Sequence, residues 1–291
     1  MRKVLVLFAD FDYTILKGTT IEGGERVTKT ELLDRYARDG EQRLLLGRVL
    51  DKLELAQKRS VPSHTQFLSP SEGAAVEDLL SACGHPRHLM FGGFSEAERR
   101  VCIFLPDWQE EEDVLSDTDG PIAALEATFH TDAQLSHRDF LGSLMGLGIT
   151  REKLGDILVD QGKAQILLLR ETVPILLSQW ESAGRWKLKL REIPLDALQV
   201  KAPQVKIIKD TVATLRLDAV CSSGFSTSRS KAVEFISAGR VSLNHRECTK
   251  ADRTVVQGDI ISCRGLGKCV LREVMGQSKK GRTMIVVERF I

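Results

Sequence analysis

The stretch RLDAVCSSGFSTSRSKAVEFISAGRVSLN (216–244) constrains the fold of this chain more than any other. RLDAVCSSGF predicts a short helix that closes at Gly224, and STSRSKAVEFISAG predicts a second helix. Ser226 or Ser228 can cap the second helix at its start, and Gly239 ends it. The sequence therefore predicts two short helices joined by a tight turn and followed by a strand.

The second predicted helix has one apolar face and a cationic first turn. Arg229 and Lys231 lie where free backbone amides and the helix dipole already favour phosphate. Arg240 begins the following strand, and Asn244 lies in its turn. The side chains expected to pack inward are Ala232, Val233 and Ile236. This placement predicts a cationic patch for an RNA backbone, with a solvated basic face of a small domain as the alternative.

Charge is distributed unevenly along the chain. Residues 201–291 hold 17 Lys and Arg against 8 Asp and Glu, a net charge of +9. Residues 1–200 hold 24 and 32, a net charge of −8. A basic C-terminal third on an acidic body predicts that one end of the protein meets a polyanion.

The first half of the chain predicts a small mixed unit. Residues 25–59 are charged, leucine-rich and free of proline, which favours one or two helices. SPSE (69–72) is typical of a helix start with a capping box. Two strands are predicted at 88–94 and 99–106 around a Gly-Gly turn, and the acidic stretch 107–121 is predicted to be a linker.

The next block predicts a β-α-β-β-α-β order, which is that of a split βαβ, ferredoxin-like domain. QG (161–162) is typical of a tight hairpin turn, and residues 194–214 are predicted to connect this block to the last one. The predicted elements are a strand at 121–129, a helix at 137–148, strands at 154–159 and 164–169, a helix at 171–184 and a strand at 186–193. Aromatic side chains on such a sheet could bind RNA, but Phe129, Trp180 and Trp186 are predicted to pack in the core.

The basic block resembles a known RNA-binding fold. RLDAV, GFSTSRSKAVEFISAGRVSLN and VVQGDIIS, in this order, are similar to an S4 domain. The resemblance implies contacts to structured RNA from the second helix and the turn into the next strand. The residues that it indicates are Arg216, Ser228, Arg229, Lys231, Arg240 and Asn244. The basic tail RGLGKCVLREV and KKGR adds Arg264, Lys268, Lys279, Lys280 and Arg282.

The resemblance extends upstream. FLSPSE (67–72), GGFSEAERRVCIF (92–104) and HRDFLGSLMGLGITREKLGDILV (137–159), followed by the S4 block, resemble the YlmH family of S4 proteins. More narrowly, they resemble its cyanobacterial and plastid branch, the photosystem II S4 domain proteins. The family resemblance implies a non-enzymatic protein that binds rRNA and tRNA at the large ribosomal subunit. It also implies a protein of the bacterial cytoplasm or plastid stroma. Because no apolar run reaches the roughly 18 residues that a membrane helix needs, we expect a soluble protein without membrane insertion.

These patterns together predict an α+β fold in three folded parts. We expect an N-terminal α/β domain at 25–118, a ferredoxin-like domain at 119–196 and an S4 domain at 210–291, after an extension at 1–24. We expect no cofactor and no metal. The six cysteines are scattered without a CxxC pair, which favours free thiols in a reducing compartment.

Two alternatives stay open. VLVLFADFDYTIL (4–16) carries Asp10 and Asp12 at the end of an apolar run, the opening signature of haloacid-dehalogenase-type phosphatases. Asp156 and Asp160 could hold magnesium in such an enzyme, but the chain lacks the alternation of strands and helices that its parallel sheet requires. The second alternative is a protein-interaction scaffold in photosystem assembly.

Overall fold

The computed structural model describes residues 19–22, 25–115 and 120–291, in two compact units with the boundary in the chain between Gln199 and Val200. The segment with Asp10 and Asp12 lies outside the described residues. Along the part that is described, no helix is both long and apolar enough to span a membrane.

The first part of the N-terminal unit packs three helices on a small sheet, with the helices and β4 and β5 in the predicted places and β1, β2 and β3 not predicted. Its elements are β1 (Thr19–Glu22), β2 (Glu25–Thr28), α1 (Lys29–Tyr36), α2 (Gly40–Arg59), β3 (Ser63–His64), α3 (Pro70–Ala82), β4 (His88–Phe91), β5 (Val101–Phe104) and α4 (Glu111–Val114). The sheet order is β3-β5-β4, and Ser69 and Glu72 form the predicted capping box of α3. The single turn α4 lies within the stretch predicted to be a linker.

The second part of this unit has the ferredoxin-like order. Its elements are β6 (Ile122–Thr128), α5 (His137–Gly146), β7 (Leu154–Asp160), β8 (Lys163–Leu169), α6 (Val173–Gln179), β9 (Ser182–Ala183), β10 (Trp186–Lys187) and β11 (Lys189–Ile193). The four long strands form an antiparallel sheet in the order β11-β6-β8-β7, so the predicted β-α-β-β-α-β topology is present.

The second helix of this part is shorter than predicted. It ends at Gln179, and residues 182–187 form a small hairpin between β9 and β10 instead of the last helical turn. Trp180 ends the helix because its indole is buried in the core, where Nε1 donates to Oγ of Ser143 at 2.7 Å. Tertiary packing has therefore overridden the local helical pattern.

The ferredoxin-like sheet is covered on both faces. Alternate side chains of β6 and β8 pack against α5 and α6, through Phe140, Leu144 and Leu176 among others. The other face packs against the N-terminal part in one cluster, which comprises Phe67, Val101, Ile103, Leu105, Ile122, Ala124, Leu167, Leu169 and Ile193. The two parts thus share a hydrophobic core and form one compact unit.

The C-terminal unit is a six-stranded antiparallel sheet with two helices. Its elements are β12 (Val205–Val212), α7 (Leu217–Gly224), α8 (Arg229–Ser237), β13 (Val241–Leu243), β14 (Arg246–Glu247), β15 (Ile260–Cys263), β16 (Gly267–Gln277) and β17 (Thr283–Phe290). The sheet order is β12-β17-β16-β15-β13-β14. β12 lies in the stretch that the sequence predicts to be a connection. The strand is not predicted because it is a partly exposed edge strand, whose side chains show no clear apolar alternation.

Candidate nucleic-acid interface

Helix α7 is fixed at both ends by contacts that the sequence does not reveal. At its start, the backbone N–H groups of Leu217 and Asp218 donate to the carbonyls of Arg253 and Ala251, at 2.8 and 3.0 Å. At its end, a Cβ on Gly224 would lie 2.8 Å from Sγ of Cys269. The helix therefore ends at the predicted glycine, but glycine is needed there for close packing on β16 rather than for a left-handed turn.

Arg216 and Arg229 share a buried carboxylate. Asp218 has a side chain only 3% exposed, and Arg216 donates to its Oδ1 and Oδ2 at 3.2 Å. Nε of Arg229 donates to Oδ2 at 3.0 Å. The arginine side chains are 40% and 53% exposed, so each is anchored at one edge and open to solvent at the other. Burial by itself raises the pKa of Asp218, but the hydrogen bonds from Arg216 and Arg229 outweigh it and hold this pKa below its ordinary value.

Helix α8 begins as predicted. Ser228 is the N-cap residue, and its Oγ accepts from the backbone N–H of Lys231 at 3.2 Å. Arg229 and Lys231 are exposed in the first turn. The cap uses the Ser228 hydroxyl within the fold, so its contribution to RNA binding would come through the placement of its two cationic neighbours.

A turn at the end of α8 positions the next arginine. Gly239 has φ +65°, its N–H donates to the Ile236 carbonyl, and the N–H of Arg240 donates to the Phe235 carbonyl, both at 3.0 Å. This pair of bonds is a Schellman motif, which reverses the chain directly after the helix. The prediction that Gly239 ends α8 is confirmed, while the next strand begins at Val241, one residue after the predicted Arg240.

Phe235 gathers the second group of cations. The guanidinium carbon of Arg240 lies 4.4 Å from the Phe235 ring centroid, and Nζ of Lys231 lies 5.8 Å from it. Nη2 of Arg240 also donates to the Arg264 carbonyl at 2.6 Å, and the Arg264 N–H donates back to the Arg240 carbonyl at 2.9 Å. The aromatic ring and the paired backbone hold these cations in place.

Asn244 serves the fold directly. It lies with His245 in a two-residue turn between β13 and β14, and both residues have positive φ, +49° and +65°. The side-chain amide of Asn244 donates to Oδ1 of Asp259 at 2.8 Å and accepts from the N–H of Ile260 at 2.9 Å. Both ends of its side chain are thus engaged within the C-terminal unit, and its predicted contact with RNA stays a prediction.

The tail cations occupy two distant places. Nζ of Lys268 lies 4.4 Å from the Phe290 ring centroid, at the start of β16 near Arg264. Lys279 and Lys280 are exposed in the turn at the other end of β16, about 30 Å away at the rise of a strand. Arg282 in the same turn donates from Nε to Oγ1 of Thr211 at 3.0 Å, which ties the turn to β12.

The structure thus joins Arg216 with Arg229, and Lys231 with Arg240, whose guanidinium also bonds to the backbone of Arg264. It places Lys279, Lys280 and Arg282 apart from them. Sequence reasoning missed the two residues that organise these groups. They are Asp218 and Phe235, whose roles depend on side chains that meet only in the folded unit. The RLD spacing was the one available signal, because it places a carboxylate two residues from Arg216.

The rival carboxylate Asp156 is engaged in structure. Its Oδ2 and Oδ1 accept from the backbone N–H groups of Glu98 and Arg99, at 2.7 and 3.2 Å. Among the described residues, no group of three or more His, Cys, Asp or Glu is arranged to hold a metal ion. In the part of the chain that is described, Asp156 therefore fixes the loop before β5 to the start of β7.

Comparison with known proteins agrees with this geometry. Residues 122–197 match the family described as "Putative RNA-binding domain in YlmH", and residues 215–261 match the S4 domain family. The chain is 30% identical over 253 residues to the ribosome-associated protein quality control protein P2 of Bacillus subtilis (strain 168), across 86% of this chain and 95% of that protein.

A solved structure, the cell division protein ylmH from Streptococcus pneumoniae, is also similar. It shares 25% identity with a TM-score of 0.45, over 54% of this chain and 94% of that one. The two family matches fall on the ferredoxin-like part and on the C-terminal unit, and the Bacillus relative is similar along nearly its whole length. The chain therefore belongs to the YlmH-like family of S4-domain RNA-binding proteins.

Proposed function

We propose that the protein binds structured rRNA or tRNA through its S4 domain, in association with the large ribosomal subunit and without catalysis. The observation that carries this proposal is the pair of fixed cationic groups at the two ends of α8. Arg229 is held on Asp218 at one end, and Arg240 is held on Phe235 at the other. Helix α8, with nine residues and a length of about 13 Å, lies between Arg229 and Arg240.

Such cations suit recognition of an RNA fold rather than a linear sequence. Side chains already held in place lose less conformational freedom when they bind phosphate. Phosphate contacts set the position of a protein on RNA, and double-stranded RNA is recognised mainly by its shape. The name of the Bacillus relative, which describes it as ribosome-associated, supports a ribosomal RNA as the target.

The alternatives receive less support. The phosphatase hypothesis depends on Asp10 and Asp12, outside the described residues, and Asp156 is engaged in a loop contact. The role in photosystem assembly follows only from the narrower resemblance of the sequence. Both stay predictions, and binding to ribosomal RNA is the function that the described residues favour.

The test is a charge change on α8. The triple variant Arg229→Gln, Lys231→Gln and Arg240→Gln should weaken binding of the full chain to purified large-subunit rRNA. The plot of log affinity against log salt concentration should become shallower, its slope decreasing in magnitude by about 2 to 3. The reason is that about one counterion is released for each phosphate neutralised. Binding is measured by filter retention at several salt concentrations.

The matched control neutralises two other exposed cations. Lys52→Gln with Arg59→Gln changes α2 in the N-terminal unit and should leave affinity and slope unchanged. Because Arg240 also bonds to the Arg264 carbonyl, the variant Arg229→Gln with Lys231→Gln tests the proposal if the triple variant unfolds. Wild-type affinity in a folded variant would overturn the proposed function.

A further inference from the structure

The ferredoxin-like part matches a family described as RNA-binding, but its sheet faces are not free to bind RNA. One face is covered by α5 and α6, and the other by the cluster around Phe67 and Ile103. The polar end of that second face is closed by Glu126, whose Oε1 accepts from Nη2 of Arg191 at 2.6 Å, and by Gln165. An RNA contact made by the sheet itself must therefore use one of its edges or ends.

One end of the sheet carries a dense run of cations. The segment RWKLK (185–189) turns from the β9–β10 hairpin into β11, the edge strand that pairs with β6. Arg185, Lys187 and Lys189 alternate along it, and all three are exposed. Among the described residues, none of these three side chains forms an ion pair with a carboxylate, so the segment presents a row of cations to solvent.

An aromatic pair lies within this row. Trp186 is only partly buried and is not part of the core that contains Trp180, which corrects the prediction that both tryptophans pack inside. Its ring is nearly parallel to that of His130, with an interplanar angle of 11° and centroids 6.1 Å apart. The guanidinium carbon of Arg185 lies 5.2 Å from the indole centroid.

The imidazole of His130 is held in this position by its own loop. Nδ1 of His130 accepts from the backbone N–H of Asp132 at 3.3 Å, and the His130 side chain is nevertheless 65% exposed. The loop that carries it follows β6, and Phe129 anchors that loop through a backbone bond to the Gly162 carbonyl at 3.0 Å. An exposed aromatic ring is thus fixed beside a second ring and Arg185, and the same segment carries two further exposed lysines.

We propose that His130 and Trp186 stack an unpaired RNA base, while Arg185, Lys187 and Lys189 contact the phosphates on either side of it. Aromatic faces beside cations are the recurring means by which proteins hold single-stranded RNA, because every base has a face that can stack. The proposal rests on the proposed function and adds a second, single-stranded contact to that of the S4 domain.

Protection of the sheet edge would explain the cations alone. Lysines on edge strands keep a sheet from pairing with another chain, and β11 is such an edge. That role requires no aromatic pair, however. The two explanations differ in what they predict for Trp186 and His130. Removing these rings would keep the cations that protect the edge but would remove the surface on which a base stacks.

The experiment compares aromatic and charge variants of the full chain. The probe is a fluorescein-labelled twelve-nucleotide oligouridine, with purified large-subunit rRNA as the second ligand. Trp186→Ala should weaken oligouridine binding by about fivefold to a hundredfold, the range of one lost base stack. Trp186→Phe should keep most of the affinity, and the variant Arg185→Gln, Lys187→Gln and Lys189→Gln should lower affinity and its salt dependence.

The outcomes separate this proposal from the proposed function. If wild-type protein binds neither RNA, both proposals fail. If rRNA binding depends on Arg229 and Lys231 while Trp186→Ala binds oligouridine as wild type does, only the stacking site is overturned. The same holds if Trp186→Ala loses ribosome association but keeps full affinity for both RNAs, which would indicate a protein partner. Trp186→Phe guards against unfolding as the cause of any loss.

Discussion

Nε of Arg229 donates to Oδ2 of Asp218 at 3.0 Å, and this carboxylate is almost fully buried beneath the cationic patch. The same carboxylate binds Arg216, so one negative charge orients two positive ones. A buried carboxylate is tolerated because both oxygens are hydrogen-bonded to guanidinium groups. The patch is therefore built on an ion triad whose stability contribution should depend on pH.

Asp218→Asn should lower the free energy of unfolding by about 1 to 3 kcal/mol at pH 7, because the charged hydrogen bonds to Arg216 and Arg229 are weakened. The pKa of Asp218 is lowered in the folded protein. Its contribution is therefore complete at neutral pH and is lost as pH falls through that lowered pKa, below about pH 4.

Urea unfolding of wild type and variant at pH 7, 5 and 3 measures this difference. We expect the two curves to differ by the same amount at pH 7 and pH 5, and the difference to become smaller at pH 3, below the ordinary pKa of an aspartate. The control Asp252→Asn, at an exposed position of the same unit, should match wild type throughout. A difference that stays constant across the three pH values would show that the Asp218 charge is not what stabilises the patch.

Asn244 provides the second prediction. Asn244→Ala should destabilise the C-terminal unit by about 1 to 3 kcal/mol, because Asp259 and the N–H of Ile260 both lose a partner. Asn244→Gly loses the same bonds but adopts φ +49° freely, so it should be about 1 kcal/mol more stable than the alanine variant. Thermal unfolding measures the order, and equal stability of the two variants would contradict the strained-turn account.

Local signals were the part of this fold that the sequence could predict. Ser69 and Ser228 cap helices, Gly239 ends one, and each needs only neighbours within a few residues. The order of the ferredoxin-like strands also followed from local patterns, because its hairpin and crossovers connect elements that are close in sequence.

Long-range partners explain what could not be predicted. The side chain of Asn244 is engaged by Asp259, and the ring of Trp186 lies on His130, 56 positions earlier in the chain. Neither pairing leaves a periodic signal. The shared core at Phe67 and Leu167 likewise joins two parts that each look complete as a sequence block. Which candidate side chains are free for RNA therefore becomes visible only in the folded units.

Gly224 provides the last prediction, which tests how α7 is seated on the sheet. A Cβ at this position would lie 2.8 Å from Sγ of Cys269 and 3.2 Å from Cγ1 of Val287, and both side chains are fully buried. Gly224→Ala should therefore destabilise the C-terminal unit by about 1 to 3 kcal/mol through overpacking. Gly276→Ala, whose added Cβ would meet no atom within 4 Å, is the matched control.

The clash with Cys269 can be isolated by a double-mutant cycle. Cys269→Ala alone should be destabilising because it leaves a cavity, but in combination with Gly224→Ala it removes the atom that the new methyl group meets. The double variant should consequently be more stable than the sum of the two single effects, as measured by urea unfolding. Strict additivity would mean that the glycine is required by the backbone or by Val287 rather than by Cys269. In that case the packing of α7 on the sheet, and with it the position of Arg216, would not depend on the contact between Gly224 and Cys269.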